Sequence, residues 1–208
     1  MGKPNTIFDQ NYDGYLQKVR NIDFSNIAPI LKIRVNAETS TAEIPFFNTT
    51  YRVSPFGVVD EQGQRPDYAI CVILLKYLLL NPQWVPAAKD WVTYRDFTDS
   101  GQTQDAGLSE YALAAIAKRY AGNLERLKAS AGVLGSNPPE AEYPYDFSAV
   151  FPALPRLPIL FLFNDADEQF PAHASILYER RADHYLDAEC RVMVDWYLFE
   201  SLKKAEIL

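Results

Sequence analysis

The sequence predicts an α+β fold, an antiparallel sheet of short strands with helices packed against it, in a single domain spanning residues 1–208. Three observations carry this. Apolar residues keep helical spacing in four segments, while the period falls to two between residues 32 and 59. The regular alternation of strand and helix that a doubly wound parallel sheet requires is missing. A chain of 208 residues, 48% hydrophobic and 13% aromatic, buries enough surface to fold as one unit without disulfides or structural metal.

Each element has its own signal. Residues 7–20 place Ile7, Phe8, Tyr12, Leu16 and Val19 near helical spacing with charges between them, and residues 25–31 read as a short helix limited by Pro29. In residues 32–59 Ile33, Val35 and Ala37 alternate with polar neighbours. The pieces "AEIPFFN", "TTYRV" and "FGVVD" follow as an antiparallel meander closed by the turn "DEQGQRP". Asp67 stands at the N-cap position of "YAICVILLKYLLL", a helix apolar on nearly every side and hence central, which Asn81-Pro82 stops. "QWVPAAKDWVTYRDF" is irregular and rich in aromatics.

From Ser109 onward Leu113, Ile116, Tyr120, Leu124 and Leu127 restore the helical period, with Gly122 dividing two helices. Residues 132–144 form a turn-rich connector. Two strands surround the "PALPRLP" corner, the second, residues 159–163, lacking any polar residue and so covered on both faces. "ASILYE" reads as a short strand or a turn. Asp187 caps a last helix whose buried face holds Val192, Trp196, Phe199 and Leu202, widened by Met193 and Tyr197.

Charge and cysteine content narrow the function. A net charge of -7 with no basic block argues against nucleic acid and anionic membrane as partners. Cys71 and Cys190 stand alone, so the chain by itself builds neither a zinc–thiolate site nor an iron–sulfur cluster; they read as buried thiols of a cytoplasmic protein. No signal peptide and no apolar run of about 18 residues is present. "MGKPNT" and "NTT" at Asn48 match short acylation and glycosylation patterns that arise often by chance, and carry no weight without their cellular context.

No phosphate-binding, dinucleotide, nucleophile-elbow or zinc-protease motif occurs, and His173 and His184, eleven residues apart, fit no compact zinc motif, so no metal ligands are assigned. Three clusters remain. Asp165, Asp167 and Glu168 crowd the end of an apolar strand, where mutual repulsion raises their pKa values unless Arg156, Arg180 or Arg181, or a hard cation, compensates. Arg95, between Tyr94 and the sequence to Phe97, can hold a carboxylate or phosphate by its planar fork, with Trp91 nearby; alternatively it pairs within the fold. His184 is either a structural residue or the partner of the acidic corner in proton transfer.

The run "ILLKYLLL", "WVTYRDF", "LPRLPILFLFNDADEQFPAHASILYERRADHYL" and a terminal helix resembles the prokaryotic domain-of-unknown-function family numbered thirty-seven eighty-six, with Trp91, Arg95, Pro158, Asp167, Glu168, Phe170, Pro171, Ala172, His184 and Tyr185 at matching positions. The resemblance implies a setting in anaerobic bacteria and archaea. Some relatives carry a cysteine-rich iron–sulfur segment that two isolated cysteines cannot supply. It carries over no established catalytic residue, and it leaves the cofactor unknown. Two expectations follow. One is a non-enzymatic domain that binds a small molecule or a protein partner, an accessory of anaerobic metabolism, with Trp91, Tyr94 and Arg95 lining a pocket with the acidic corner. The other is a carboxylate-based enzyme, with or without a divalent metal, doing hydrolysis or acid/base chemistry.

Overall fold

The computed structural model describes residues 7–85, 87, 89–97 and 106–206; the "MGKPNT" pattern lies outside them. The chain opens with α1 (Ile7–Val19) and the two-turn helix α2 (Phe24–Leu31), started by Asp23, whose side chain accepts from the Ser25 N–H at 2.9 Å, and ended by Lys32 in the left-handed region at φ 54°. The meander follows as β1 (Arg34–Asn36), β2 (Thr41–Phe46), β3 (Thr49–Ser54) and β4 (Gly57–Val59), paired antiparallel in that order. Ala42, Ile44 and Phe46 alternate into the core with Tyr51 and Val53 beside them, as a sheet with one covered face requires. Gly57 sits at φ 150° with the Tyr12 hydroxyl 2.9 Å from where a Cβ would stand, so α1 closes on this strand through a position open only to glycine.

Helix α3 (Tyr68–Leu80) is buried on nearly all sides; Ile70 to Leu75, Tyr77 and Leu78 are all core residues. Asp67 precedes it but caps no N–H, because its carboxylate accepts from the Tyr197 hydroxyl at 3.2 Å instead. Among its described residues the expected irregular stretch contains a strand, β5 (Trp91–Thr93), and a 3-10 turn from Tyr94 to Asp96. Helices α4 (Ala106–Tyr120) and α5 (Leu124–Val133) part at Gly122, whose φ of 69° suits glycine.

A second antiparallel sheet has the order β5-β8-β7-β6, built from β6 (Phe147–Leu154), β7 (Leu157–Asn164) and β8 (His173–Glu179), so "ASILYE" is strand. Ile159 to Phe163 are all buried, the two-sided coverage expected of an all-apolar strand. The short strands thus form two sheets, joined where the Phe47 N–H donates to the Ala153 carbonyl at 2.9 Å. Asp187 caps α6 (Ala188–Ala205) by accepting from the Cys190 N–H at 3.0 Å. One hydrophobic cluster runs from Tyr12 to Ala205 through both sheets and α3.

The face of α6 differs from expectation. Val192 and Leu202 are buried, whereas Trp196 and Phe199 only lie against the core, and Arg191 and Asp195 are enclosed at 0% and 1% exposure. The helix packs on α3, α4 and α5, and α4 in turn packs on β8, so only a narrow outer stripe through Glu189, Met193, Trp196, Glu200 and Lys203 stays open, and Arg191 and Asp195 fall on the covered faces.

Candidate functional site

The acidic corner forms the tip of the β7–β8 hairpin, and backbone N–H groups compensate its charge. Asp165 Oδ1 accepts from Gly122 N at 2.6 Å and from Ala166 N at 2.8 Å, binding the hairpin to the α4–α5 joint. Asp167 Oδ1 accepts from Gln169 N and Phe170 N, each at 2.7 Å, and these two bonds hold its carboxyl below the usual range. Glu168 is exposed. The arginines expected nearby go elsewhere: Arg156 donates to the Ile30 and Pro29 carbonyls at the end of α2, Arg180 faces Asp90 at 3.6 Å, and Arg181 pairs with Glu179 at 2.6 Å. Among the described residues no group of three His, Cys, Asp or Glu side chains is placed to hold a metal ion.

The structure does not bring the sequence candidates together. On β8 the corner lies beside His173, opposite Asn164, whereas Thr93 faces Leu177, four residues or roughly 13 Å along the strand. His184 follows β8 at its far end, in a 3-10 turn beside Asp183, and does not meet the corner. Trp91 and Tyr94 are also separated. Trp91 lines a cleft of about 480 Å³ with Tyr143, Pro138, Pro158 and Glu179, on the sheet face opposite to that of Val92 and Tyr178.

Tyr94 and Arg95 are positioned by a reciprocal cap. Asp96 Oδ2 accepts from Thr93 N at 2.8 Å and Thr93 Oγ1 at 2.7 Å, which fixes the turn between them and holds the Asp96 carboxyl low. The Tyr94 ring is buried, and the exposed Arg95 guanidinium pairs with Glu110 on α4. Tyr94, Arg95 and Glu110 border a cavity of about 200 Å³ whose remaining wall is Thr93, Ser109, Leu113, Ser175 and Ile176.

Behind Ser109 stands a polar cluster that the sequence reading missed. Ser109 Oγ lies 2.5 Å from Asp195 Oδ2, and the Tyr178 hydroxyl lies 2.5 Å from Asp195 Oδ1 and 2.8 Å from the Arg191 carbonyl oxygen. Tyr178 has one hydroxyl hydrogen and two acceptors in reach. If it donates to the carbonyl, the hydrogen between Tyr178 and Asp195 has to come from the carboxyl group, making Asp195 a neutral acid. Burial pushes the Asp195 carboxyl up to about 7, against the pull of the Ser109 and Tyr178 hydrogen bonds and of the Arg191 charge. The Arg191 guanidinium donates to the Leu186 carbonyl at 2.6 Å and stands 4.2 Å from the Phe97 ring centre and 5.8 Å from that of Tyr94.

One signal for this cluster was present in "RVMVDW", where Arg191 and Asp195 sit four apart among apolar residues on every helical face. Nothing in the sequence pairs either with Tyr178 or Ser109. The family model described as Domain of unknown function (DUF3786) matches residues 23–201, from α2 into α6. No curated protein and no solved structure matches the chain.

Proposed function

The chain belongs to the DUF3786 family, and from that premise we propose that it is a non-enzymatic small-molecule-binding domain, a cytoplasmic accessory of anaerobic prokaryotic metabolism. The observation that carries the binding reading is the cavity beside Tyr94: a concave, largely apolar space of about 200 Å³ with a few convergent polar groups, one of them tied to a buried carboxyl. Its walls are preorganised by the Thr93–Asp96 cap on one side and the Ser109–Asp195 bond on the other, which lowers the ordering cost of binding. The anaerobic setting is supported by the resemblance of the "LPRLPILFLFNDADEQFP" region alone.

Backbone amide NMR during addition of a mixture of metabolite-sized carboxylates, amines and amides tests this reading. The Arg95, Ser109 and Glu110 amides shift, and a Leu113→Trp variant, which fills the cavity, abolishes the shift. No movement of these amides with any member of the mixture sinks the reading.

A carboxylate-based enzyme is the second reading, and Asp195 favours it more than the acidic corner does. A carboxyl pushed up to about 7 and bonded to a serine hydroxyl works in the range of a general acid or base. Asp165 and Asp167 already accept backbone N–H groups. Turnover of a short-chain acyl ester that disappears in Ser109→Ala and Asp195→Asn supports this reading over the first.

A further inference from the structure

The groups around the Tyr94 cavity differ in what they ask of a ligand. Arg95 offers a planar set of donors suited to a carboxylate. Glu110, its partner across the mouth, is a carboxylate that asks for a donor or a cation. Ser109 asks for the same. When Tyr178 donates to the Arg191 carbonyl, Oδ1 is the oxygen that carries the Asp195 hydrogen. With the hydrogen there, or with none on the carboxyl, the Ser109 hydroxyl hydrogen goes to Oδ2, which leaves the Ser109 Oγ lone pairs free to accept, and Ser109 lines the cavity. Tyr94, Leu113 and Ile176 supply the apolar wall.

We propose that the ligand of this cavity is a single free α-amino acid with a short aliphatic side chain, its carboxylate held by Arg95, its ammonium by Glu110 and Ser109 Oγ, and its side chain packed on Tyr94, Leu113 and Ile176. This identification rests on the small-molecule-binding reading above. Arg95 and Glu110 form an ion pair, so a cationic and an anionic group stand side by side at the mouth of the site. An α-amino acid carries its two charges on a single carbon and inserts into such a pair by exchanging each partner for its own opposite. The exchange is cheap because the pair is exposed, at 74% and 58% for the two side chains, and exposed pairs contribute little to stability. A dicarboxylate meets Glu110 as a like charge, and a simple amine leaves Arg95 without a new partner. The cavity, at about 200 Å³, also falls below the roughly 300–1,000 Å³ of pockets for drug-sized ligands, which favours a metabolite of amino-acid size over a nucleotide.

Calorimetric titration and amide NMR with glycine, L-alanine, L-valine and L-leucine test the proposal, alongside two half-ligands of leucine: 4-methylpentanoate, which lacks the ammonium, and isoamylamine, which lacks the carboxylate. Affinity rises along the amino-acid series with the apolar side chain, and each half-ligand binds at least about tenfold more weakly than leucine, the scale of one charge-assisted hydrogen bond. Arg95→Gln and Glu110→Gln, both at exposed positions, each weaken leucine binding by a similar factor while the thermal unfolding midpoint stays within a degree or two. If no amino acid shifts the Arg95, Ser109 and Glu110 amides but a half-ligand or another metabolite does, the zwitterion is wrong and the binding reading stands. If nothing shifts them, both fall.

Discussion

Ser109 Oγ and Asp195 Oδ2 stand 2.5 Å apart although eighty-six residues separate them in the chain. This bond ties the first turns of α4 to the middle of α6 and, through Tyr178, to β8. Of these residues Ser109 also lines the cavity at Tyr94, with Asp195 and Tyr178 behind it.

Asp195→Asn is expected to stabilise the protein above neutral pH. Burial raises the folded pKa of Asp195 from 3.8 to about 7, so between those values the folded state binds a proton that the unfolded state has released, and stability falls as pH rises. The loss is complete once pH passes the folded value, and amounts to at most roughly 4–5 kcal/mol at about 1.36 kcal/mol for each unit. Asparagine imitates the neutral acid, with an amide N–H facing Tyr178 and an oxygen accepting from Ser109. Urea unfolding at pH 5 and pH 8 checks this: the wild type loses stability between the two and the variant loses far less. An equal loss in both places Asp195 outside the titration.

Tyr178→Phe removes a hydroxyl that serves both Asp195 and the Arg191 carbonyl, in a side chain with no solvent exposure. A cost of about 1–3 kcal/mol is expected, because buried partners are left without their bond. In a double-mutant cycle with Asp195→Asn the two changes should fail to add, since each disturbs the same hydrogen-bond chain. Strict additivity argues against a shared chain.

The elements were legible where local chemistry decides them. The all-apolar strand with buried Ile159 to Phe163, the Gly122 break and the Asp187 cap each follow from a few neighbouring residues. What stayed hidden depends on contacts distant in sequence. Asp165 reads as a bare charge until Gly122 is folded against it, Arg156 turns to α2 rather than to the acid corner, and Asp195 reads as the polar face of a helix until α4 and β8 enclose it. Tyr94 and Trp91 look like one cluster three residues apart, yet strand alternation and the turn after Thr93 send them to different cavities.

The acidic corner is expected to act on the hairpin and not on ligand binding. Asp165→Ala gives the Gly122 N–H to water in place of the carboxylate and costs about 1 kcal/mol, a typical net value for one hydrogen bond. Asp167→Ala, at an exposed position, loosens the turn and lowers stability by less. Chemical denaturation detects the first change, and calorimetric titration should find leucine affinity unaltered in both. A loss of affinity in either variant would join the corner to the site after all.

Lys76 and Asp187 offer a separate test of how a single charge is tolerated in the central helix. Lys76 is the one charged residue of α3, and its ammonium lies 2.6 Å from Asp187 Oδ2 and 4.9 Å from the centre of the Tyr15 ring. Asp187 uses its other oxygen to cap α6. Burial opposes ionisation of Asp187, but the Lys76 and Cys190 hydrogen bonds more than offset it and hold its pKa below the ordinary carboxylate value. A depressed folded pKa means that this stabilisation is present above the unfolded value and is lost as pH falls through the folded one. Lys76→Met keeps the bulk of the side chain and removes the charge, at a cost of about 1–3 kcal/mol near neutral pH, because a partly buried carboxylate is left without its cation. Asp187→Asn keeps the capping oxygen and leaves the ammonium alone, so it should cost a similar amount despite retaining the cap. Guanidinium unfolding of wild type and Lys76→Met should converge as pH falls below the ordinary carboxylate range, since protonated Asp187 no longer distinguishes them. A difference that persists unchanged into acid would mean that Lys76 acts through its packing on Tyr15 and not through its charge.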